Sequence, residues 1–131
     1  MVRAYAPEGY NADHAMVPHG MSVVLNAPAV FRFTAAANPQ RHLYAASLMG
    51  GDVSGAGADA TRAGELLSGA IVALMRKTGM PNGLKALGYG PDDVDQLVAG
   101  TLGQQRLTRQ SPRPASAADF RQLFLDSMTL W

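Results

Sequence analysis

The sequence predicts an all-α fold, a helical bundle of about five helices. Apolar residues recur with helical rather than alternating spacing wherever a pattern is clear, and the chain contains no internal repeat. Helix start signals also occur at Asn38-Pro39, at Gly90-Pro91 and from Ser116 to Asp119. A length of 131 residues with 47% hydrophobic residues suits one compact core. Residues 1–131 are therefore expected to form a single helical domain.

The first predicted helix runs from Gly20 to roughly Ala36 and is apolar on every face. Such a pattern is typical of a helix that is buried on most sides. Pro28 lies inside this stretch and lacks a backbone donor, so we expect a kink there. The second helix is predicted to begin at Asn38-Pro39, a capping residue followed by proline, and to end at Gly50-Gly51.

A surface loop is predicted for residues 51–60, which are rich in glycine, serine and alanine. The third helix then runs from Asp59 or Thr61 to Thr78, where Gly79 closes it. A short turn over residues 84–87 follows and leads to the next helix start.

The last two helices have the clearest start signals. At Gly90-Pro91 the proline pre-sets the first turn, and Asp92 and Asp93 then lie near the positive end of a helix. Residues 103–115 are predicted as a polar connector. The sequence from Ser116 to Asp119 has the pattern of a capping box, which starts the final helix.

The charge balance argues against several classes of partner. Eleven Lys and Arg face ten Asp and Glu, a formal net charge of +1, so no broad field would attract nucleic acid or an anionic membrane. No apolar run approaches the ~20 residues of a membrane span, and a soluble protein is expected. Zero cysteines exclude disulfides and thiolate ligands and fit a reducing compartment. Cytoplasm is the predicted location, with the mitochondrial matrix as the alternative.

Three histidines are the candidate metal ligands: His14, His19 and His42. A stable Fe(II) or Zn(II) site needs three or four protein donors in fixed geometry. The spacing of His14 and His19 suits neither one helix face nor a tight chelating turn, and His42 lies in another predicted helix. Their pattern alone therefore favours ordinary surface or packed histidines, and it indicates no complete catalytic site.

The motif Pro18-His19-Gly20, placed before an apolar helix, resembles the last metal-binding histidine motif of the iron-containing alcohol dehydrogenases. Tyr10 to His14 and Pro28 to Phe31 are similar to one branch of that family, the hydroxyacid-oxoacid transhydrogenases. The similarity extends over nearly the whole chain, through residues 39–43, 88–89, 101–106 and 120–128.

The resemblance implies a role for His19. In that family a Rossmann-like N-terminal domain binds NAD, and a helical C-terminal domain holds the metal with an aspartate and three histidines. His19 is the implied metal ligand, for Fe(II) or Zn(II), and we assign no catalytic or cofactor-binding residue to this chain. The other ligands and the glycine-rich phosphate turns have no counterpart in the sequence. A C-terminal fragment that is inactive alone is therefore expected, with a nucleotide-binding domain or a second copy as partner.

Several questions stay open at this point. The family resemblance implies hydride transfer between a small hydroxy acid and an oxo acid, and Arg106, Arg109 and Arg113 are candidates to neutralise the substrate carboxylate. Arginines in such a connector are more often solvated or paired with acidic residues. The competing hypothesis is a stand-alone helical module that mediates protein contacts without catalysis.

Overall fold

The computed structural model describes residues 4–131, which form helices, short turns and loops, with no strand within that range. The all-α prediction is confirmed, with seven α-helices among residues 4–131 rather than about five. They are α1 (His19–Val24), α2 (Ala27–Thr34), α3 (Pro39–Leu48), α4 (Ala60–Lys77), α5 (Val94–Leu102), α6 (Gln105–Thr108) and α7 (Ala117–Asp126). Short 3-10 turns occupy Ala35–Ala37, Leu84–Leu87 and Pro91–Asp93.

Helix α4 is the centre of the fold. It packs against both α2 and α3, while α5 packs against α7. The main core consists of apolar side chains from α4 and α5 together with residues of the connecting segments, including Leu25, Leu67, Met75, Val94 and Met128. In the part of the chain that the structure describes, no helix is both long and apolar enough to cross a membrane.

The cap at Asn38 and the capping box at Ser116 are present as predicted, and Asp59 caps α4 in addition. The Asn38 side chain accepts a hydrogen bond from the backbone N–H of Arg41 at 3.0 Å, and Asp59 accepts one from Thr61 at 2.9 Å. At the start of α7 the Asp119 carboxylate accepts from the Ser116 N–H at 2.8 Å, and the Ser116 hydroxyl accepts from the Asp119 N–H at 3.2 Å. Hydrogen bonds from the Ser116 side chain and backbone hold the pKa of Asp119 below its usual value. Helices α3 and α7 therefore begin at the residues that the sequence predicts.

The prediction of one buried helix from Gly20 to Ala36 is wrong. Two helices, α1 and α2, meet at Leu25 and Asn26 instead. Pro28 lies in the first turn of α2. The N–H groups of a first turn have no acceptor within the helix, so the proline costs no hydrogen bond there and begins a helix rather than kinking one. None of the residues of α1 is buried, and Val23 is 56% exposed.

The predicted polar connector of residues 103–115 also differs from the structure, because it contains the one-turn helix α6. A single turn is too short to produce a periodic apolar stripe, and Leu107 within it is 56% exposed. The rest of the connector is irregular, as the sequence predicts.

The last residues of the chain are hydrogen-bonded to Asn82, in the turn that precedes residues 84–87. The Asn82 side-chain oxygen accepts hydrogen bonds from the backbone N–H groups of Leu130 at 2.8 Å and Trp131 at 3.0 Å. Its amide nitrogen donates to the Trp131 carbonyl oxygen. The Leu84 N–H donates to the Ser127 carbonyl oxygen at 2.9 Å. Backbone and side-chain hydrogen bonds thus tie two segments that are distant in sequence.

Candidate functional site

His19 is the first residue of α1, directly after the capping residue Pro18. Pro18 is buried, whereas His19 and Gly20 are exposed. The Ser22 hydroxyl donates to the His19 carbonyl oxygen at 2.8 Å, and the Ser22 N–H donates to the Pro18 carbonyl oxygen at 3.0 Å. The backbone at His19 is therefore held by the first helical turn while its imidazole remains accessible.

His42 is a packed structural residue and lies in α3. Its Nδ1 is 2.8 Å from the Asn38 carbonyl oxygen, which can only accept, so Nδ1 carries a proton. Its Nε2 lies 3.0 Å from the Thr34 hydroxyl, and both His42 and Thr34 are buried. The ring also meets the Phe31 ring edge-on, at 5.8 Å between centroids. Both nitrogens of His42 are therefore engaged inside the fold.

The other two histidines are exposed, but they differ in their partners. The His14 Nδ1 lies 2.5 Å from a carboxylate oxygen of its neighbour Asp13. Within residues 4–131, the backbone carbonyl oxygen of His19 accepts a hydrogen bond from Ser22, but the His19 ring has no hydrogen-bond partner. Of the three histidines, His19 is the one with no hydrogen-bond partner at either ring nitrogen within residues 4–131.

One imidazole is the right type of donor for Fe(II) or Zn(II), but it is one donor where three or four are required. Within residues 4–131 no group of three or more His, Cys, Asp or Glu side chains could hold a metal ion. The described residues therefore do not form a complete metal site around His19.

An apolar groove of about 590 Å³ begins at the two neighbours of His19, Pro18 and Gly20. We call it the His19 groove. Its walls come from α1, α2 and α4 and include Val23, Phe31 and Leu74. None of the lining residues is Asp, Glu, Lys, Arg or His. The sequence does not predict this groove, because its apolar pattern around α1 is the same as that of a buried helix.

The three connector arginines differ in their contacts. Arg113 donates to the Phe33 carbonyl oxygen at 3.0 Å, and its guanidinium lies 4.0 Å from the centroid of the Phe33 ring. Arg109 donates to the Gln105 side chain at 2.8 Å, and Arg106 is exposed. Arg113 therefore links the connector to α2. The ion pair of Asp95 is made with Arg121 of α7, which lies outside the connector.

Comparison with known proteins relates the chain to one family and to several relatives. The Fe-containing alcohol dehydrogenase family, C-terminal domain, matches residues 12–128. A protein of Dictyostelium discoideum named "Probable hydroxyacid-oxoacid transhydrogenase, mitochondrial" is 52% identical over 132 residues, which are 100% of this chain and 24% of that protein. The "Hydroxyacid-oxoacid transhydrogenase, mitochondrial" of Rattus norvegicus is 44% identical over 131 residues, 100% of this chain and 28% of that protein.

A solved structure of a 1,3-propanediol oxidoreductase is similar in fold, with a TM-score of 0.73 and 26% sequence identity. The match covers 85% of this chain and 28% of that chain. This chain therefore spans about a quarter of the length of the proteins that it resembles.

Proposed function

This chain belongs to the Fe-containing alcohol dehydrogenase family, and we propose from that premise that it is the metal-side part of a hydroxyacid-oxoacid transhydrogenase. The whole protein would transfer a hydride between a small hydroxy acid and an oxo acid through NAD. The support for this reaction is the name carried by relatives at 52% and 44% identity. Those names also include the word mitochondrial, which supports the mitochondrial matrix over the cytoplasm that composition favours.

In this proposal His19 is one ligand of the metal, either Fe(II) or Zn(II). The observation that carries it is the contrast among the histidines, since His19 alone has an exposed ring with no partner in residues 4–131. A neutral imidazole nitrogen is a common ligand for both metals. When bound, such a metal supplies Lewis-acid chemistry that stabilises negative charge on a substrate oxygen. The contribution of this chain is to hold the His19 backbone through Pro18 and Ser22.

The isolated chain is proposed to be inactive and to bind NAD poorly. Residues 55–57 resemble a dinucleotide loop only in their glycine content, because in the structure they follow no strand and lie in the loop between α3 and α4. The metal ligands beyond His19 and the nicotinamide site would belong to the larger part of the relatives that this chain does not span.

A calorimetric titration with Fe(II) under anaerobic conditions, repeated with Zn(II), tests the isolated chain. We expect weak binding. Tight stoichiometric binding that is lost in His19→Ala would mean that the chain completes its own metal site, alone or as an oligomer, and independent catalysis would have to be reconsidered.

The ligand role of His19 is tested by the metal content of a chimaera, called the joined protein, in which this chain replaces the matching quarter of the Dictyostelium relative. We expect about one metal ion per joined chain, and a much lower content in His19→Ala. His14→Ala is the matched control, since His14 is also exposed but its Nδ1 contacts the Asp13 carboxylate. Unchanged metal content in His19→Ala would refute the assignment.

The competing function, a helical interaction module without catalysis, is favoured by the exposed apolar walls of the His19 groove. Sizing chromatography over a series of concentrations distinguishes the two. A chain that stays monomeric at every concentration argues against a module that acts by self-association.

A further inference from the structure

We infer that the dipeptide Asn82-Gly83 is a site of spontaneous deamidation whose rate is controlled by the attachment of the last residues of the chain. Asparagine followed by glycine is especially prone to this reaction, because glycine has no side chain to hinder attack by its backbone nitrogen. Of the four asparagines in the sequence, Asn82 is the one that glycine follows. The inference does not depend on the metal role proposed for His19.

The reaction requires water as its only co-reactant. The backbone nitrogen of Gly83 attacks the side-chain carbonyl carbon of Asn82 and closes a cyclic imide. The amide nitrogen of Asn82 leaves as ammonia with the proton that Gly83 gives up. Water then opens the imide at either carbonyl carbon, which leaves aspartate or isoaspartate in place of Asn82. The net change is one water consumed and one ammonia released, without oxidation or reduction.

The fold engages both reacting groups in other contacts. The Asn82 side-chain oxygen accepts hydrogen bonds from the backbone N–H groups of Leu130 at 2.8 Å and Trp131 at 3.0 Å, and its nitrogen donates to the Trp131 carbonyl oxygen. The Gly83 N–H donates to the Pro81 carbonyl oxygen at 3.0 Å. The Asn82 side chain is therefore free to turn toward Gly83 only after residues 130–131 detach, which is a local opening rather than global unfolding.

Neither product restores the full attachment. An ionised carboxylate accepts but does not donate hydrogen bonds, so aspartate in place of Asn82 loses the bond to the Trp131 carbonyl oxygen and presents a second acceptor to it. Isoaspartate lengthens the main chain by one carbon directly before Gly83. Space is lacking there, since even an added Cβ atom at Gly83 would overlap the Met128 carbonyl oxygen. Deamidation therefore weakens the attachment of the last residues, and the loss of ammonia makes the change irreversible.

Peptide mapping by mass spectrometry measures the reaction at each asparagine during incubation at mildly alkaline pH. We expect Asn82 to convert more slowly in the folded chain than in urea, by on the order of tenfold or more. Asn38 is an internal control that should not react, because Pro39 has no backbone N–H with which to attack. Equal rates for Asn82 in the folded and unfolded chain would overturn the inference. So would conversion of Asn11 or Asn26 in urea as fast as that of Asn82.

A pair of variants at Leu130 tests the role of the attachment. Leu130→Pro removes the N–H that donates to Asn82, whereas Leu130→Ala keeps this N–H and shortens the side chain. Circular dichroism checks that both variants keep their helices. We expect Asn82 to deamidate severalfold faster in Leu130→Pro than in Leu130→Ala, and equal rates would refute control by the attachment.

Hydrogen exchange keeps the inference testable if Leu130→Pro does not fold, because it uses the unaltered sequence. Ion-exchange chromatography separates the deamidated from the unreacted chain, since the product carries an additional negative charge. We expect the backbone N–H groups of residues 129–131 to exchange severalfold faster in the deamidated chain, with those of α4 unchanged as the reference. Identical exchange of residues 129–131 in the two forms would overturn the inferred link between Asn82 and the attachment.

Discussion

Two glycines of α4 should respond in opposite directions to the same substitution. Gly64 faces α2, and a Cβ atom built on it would lie 2.9 Å from the Cα of Arg32 and 3.1 Å from the Cβ of Ala35. Gly69 is exposed on the same helix, and a Cβ atom there would have no neighbour within 4 Å. We expect Gly64→Ala to destabilise the fold and Gly69→Ala to stabilise it.

The magnitudes follow from two competing effects. Replacing glycine by alanine inside a helix stabilises it by roughly 0.5–1 kcal/mol, since alanine loses less backbone entropy on folding. That gain is common to both positions. At Gly64 the added methyl group meets backbone atoms of α2, which cannot rotate away, and overpacking of this kind costs roughly 1–3 kcal/mol. The difference in unfolding free energy between the two variants therefore isolates the overpacking cost.

The assay is urea denaturation of the wild type and both variants, followed by circular dichroism at fixed protein concentration. We expect Gly69→Ala to be more stable than Gly64→Ala by about 1–3 kcal/mol, with similar m-values. If the two variants shift the midpoint equally, the close approach of α2 to Gly64 is wrong. A large change in m-value would instead indicate an altered unfolded or native ensemble.

Three more outcomes are expected. Gly83→Ala should destabilise by about 2 kcal/mol or more, since φ is +75° and a Cβ atom would lie 2.4 Å from the Met128 carbonyl oxygen; a thermal melt checks this. Thr34→Val should cost roughly 1–3 kcal/mol in chemical denaturation by leaving the buried His42 Nε2 without its partner, whereas Thr34→Ser should retain most of the stability. Because the pKa of Asp119 is lowered in the fold, its contribution is present above the usual value of 3.8 and is lost as pH falls through the lowered one. The stability difference from Asp119→Asn should therefore shrink during acid titration, and a constant difference would contradict the hydrogen bonds at this cap.

The sequence predicted those features that depend on local chemistry. The caps at Asn38 and Ser116 were predictable because a side-chain acceptor meets an N–H group three residues away. The break between α1 and α2 was not predictable in the same way, since Pro28 is compatible with a kinked helix or a new first turn and only packing decides.

In the candidate site, too, the local motif was predictable from the sequence and the contacts between distant segments were not. The Pro18-His19-Gly20 motif singled out His19, but pattern alone could not separate it from His42, whose partner Thr34 lies in a different helix. The His19 groove depends on contacts among α1, α2 and α4, which are distant in sequence. An apolar side chain in a core and one in an open groove have the same periodicity, so the sequence did not distinguish them.

The hydrogen bonds between Asn82 and the last residues of the chain make tryptophan fluorescence a probe of this contact. Trp131 is the single tryptophan of the sequence and is 37% exposed, so its emission depends on whether this segment stays attached. Circular dichroism reports on the helices as a whole, whereas tryptophan fluorescence reports on this one attachment. Coincident transitions would indicate that the attachment and the helices are lost together, and an earlier fluorescence change would reveal fraying as a separate event. The fold thus carries an intrinsic local reporter that requires no added dye.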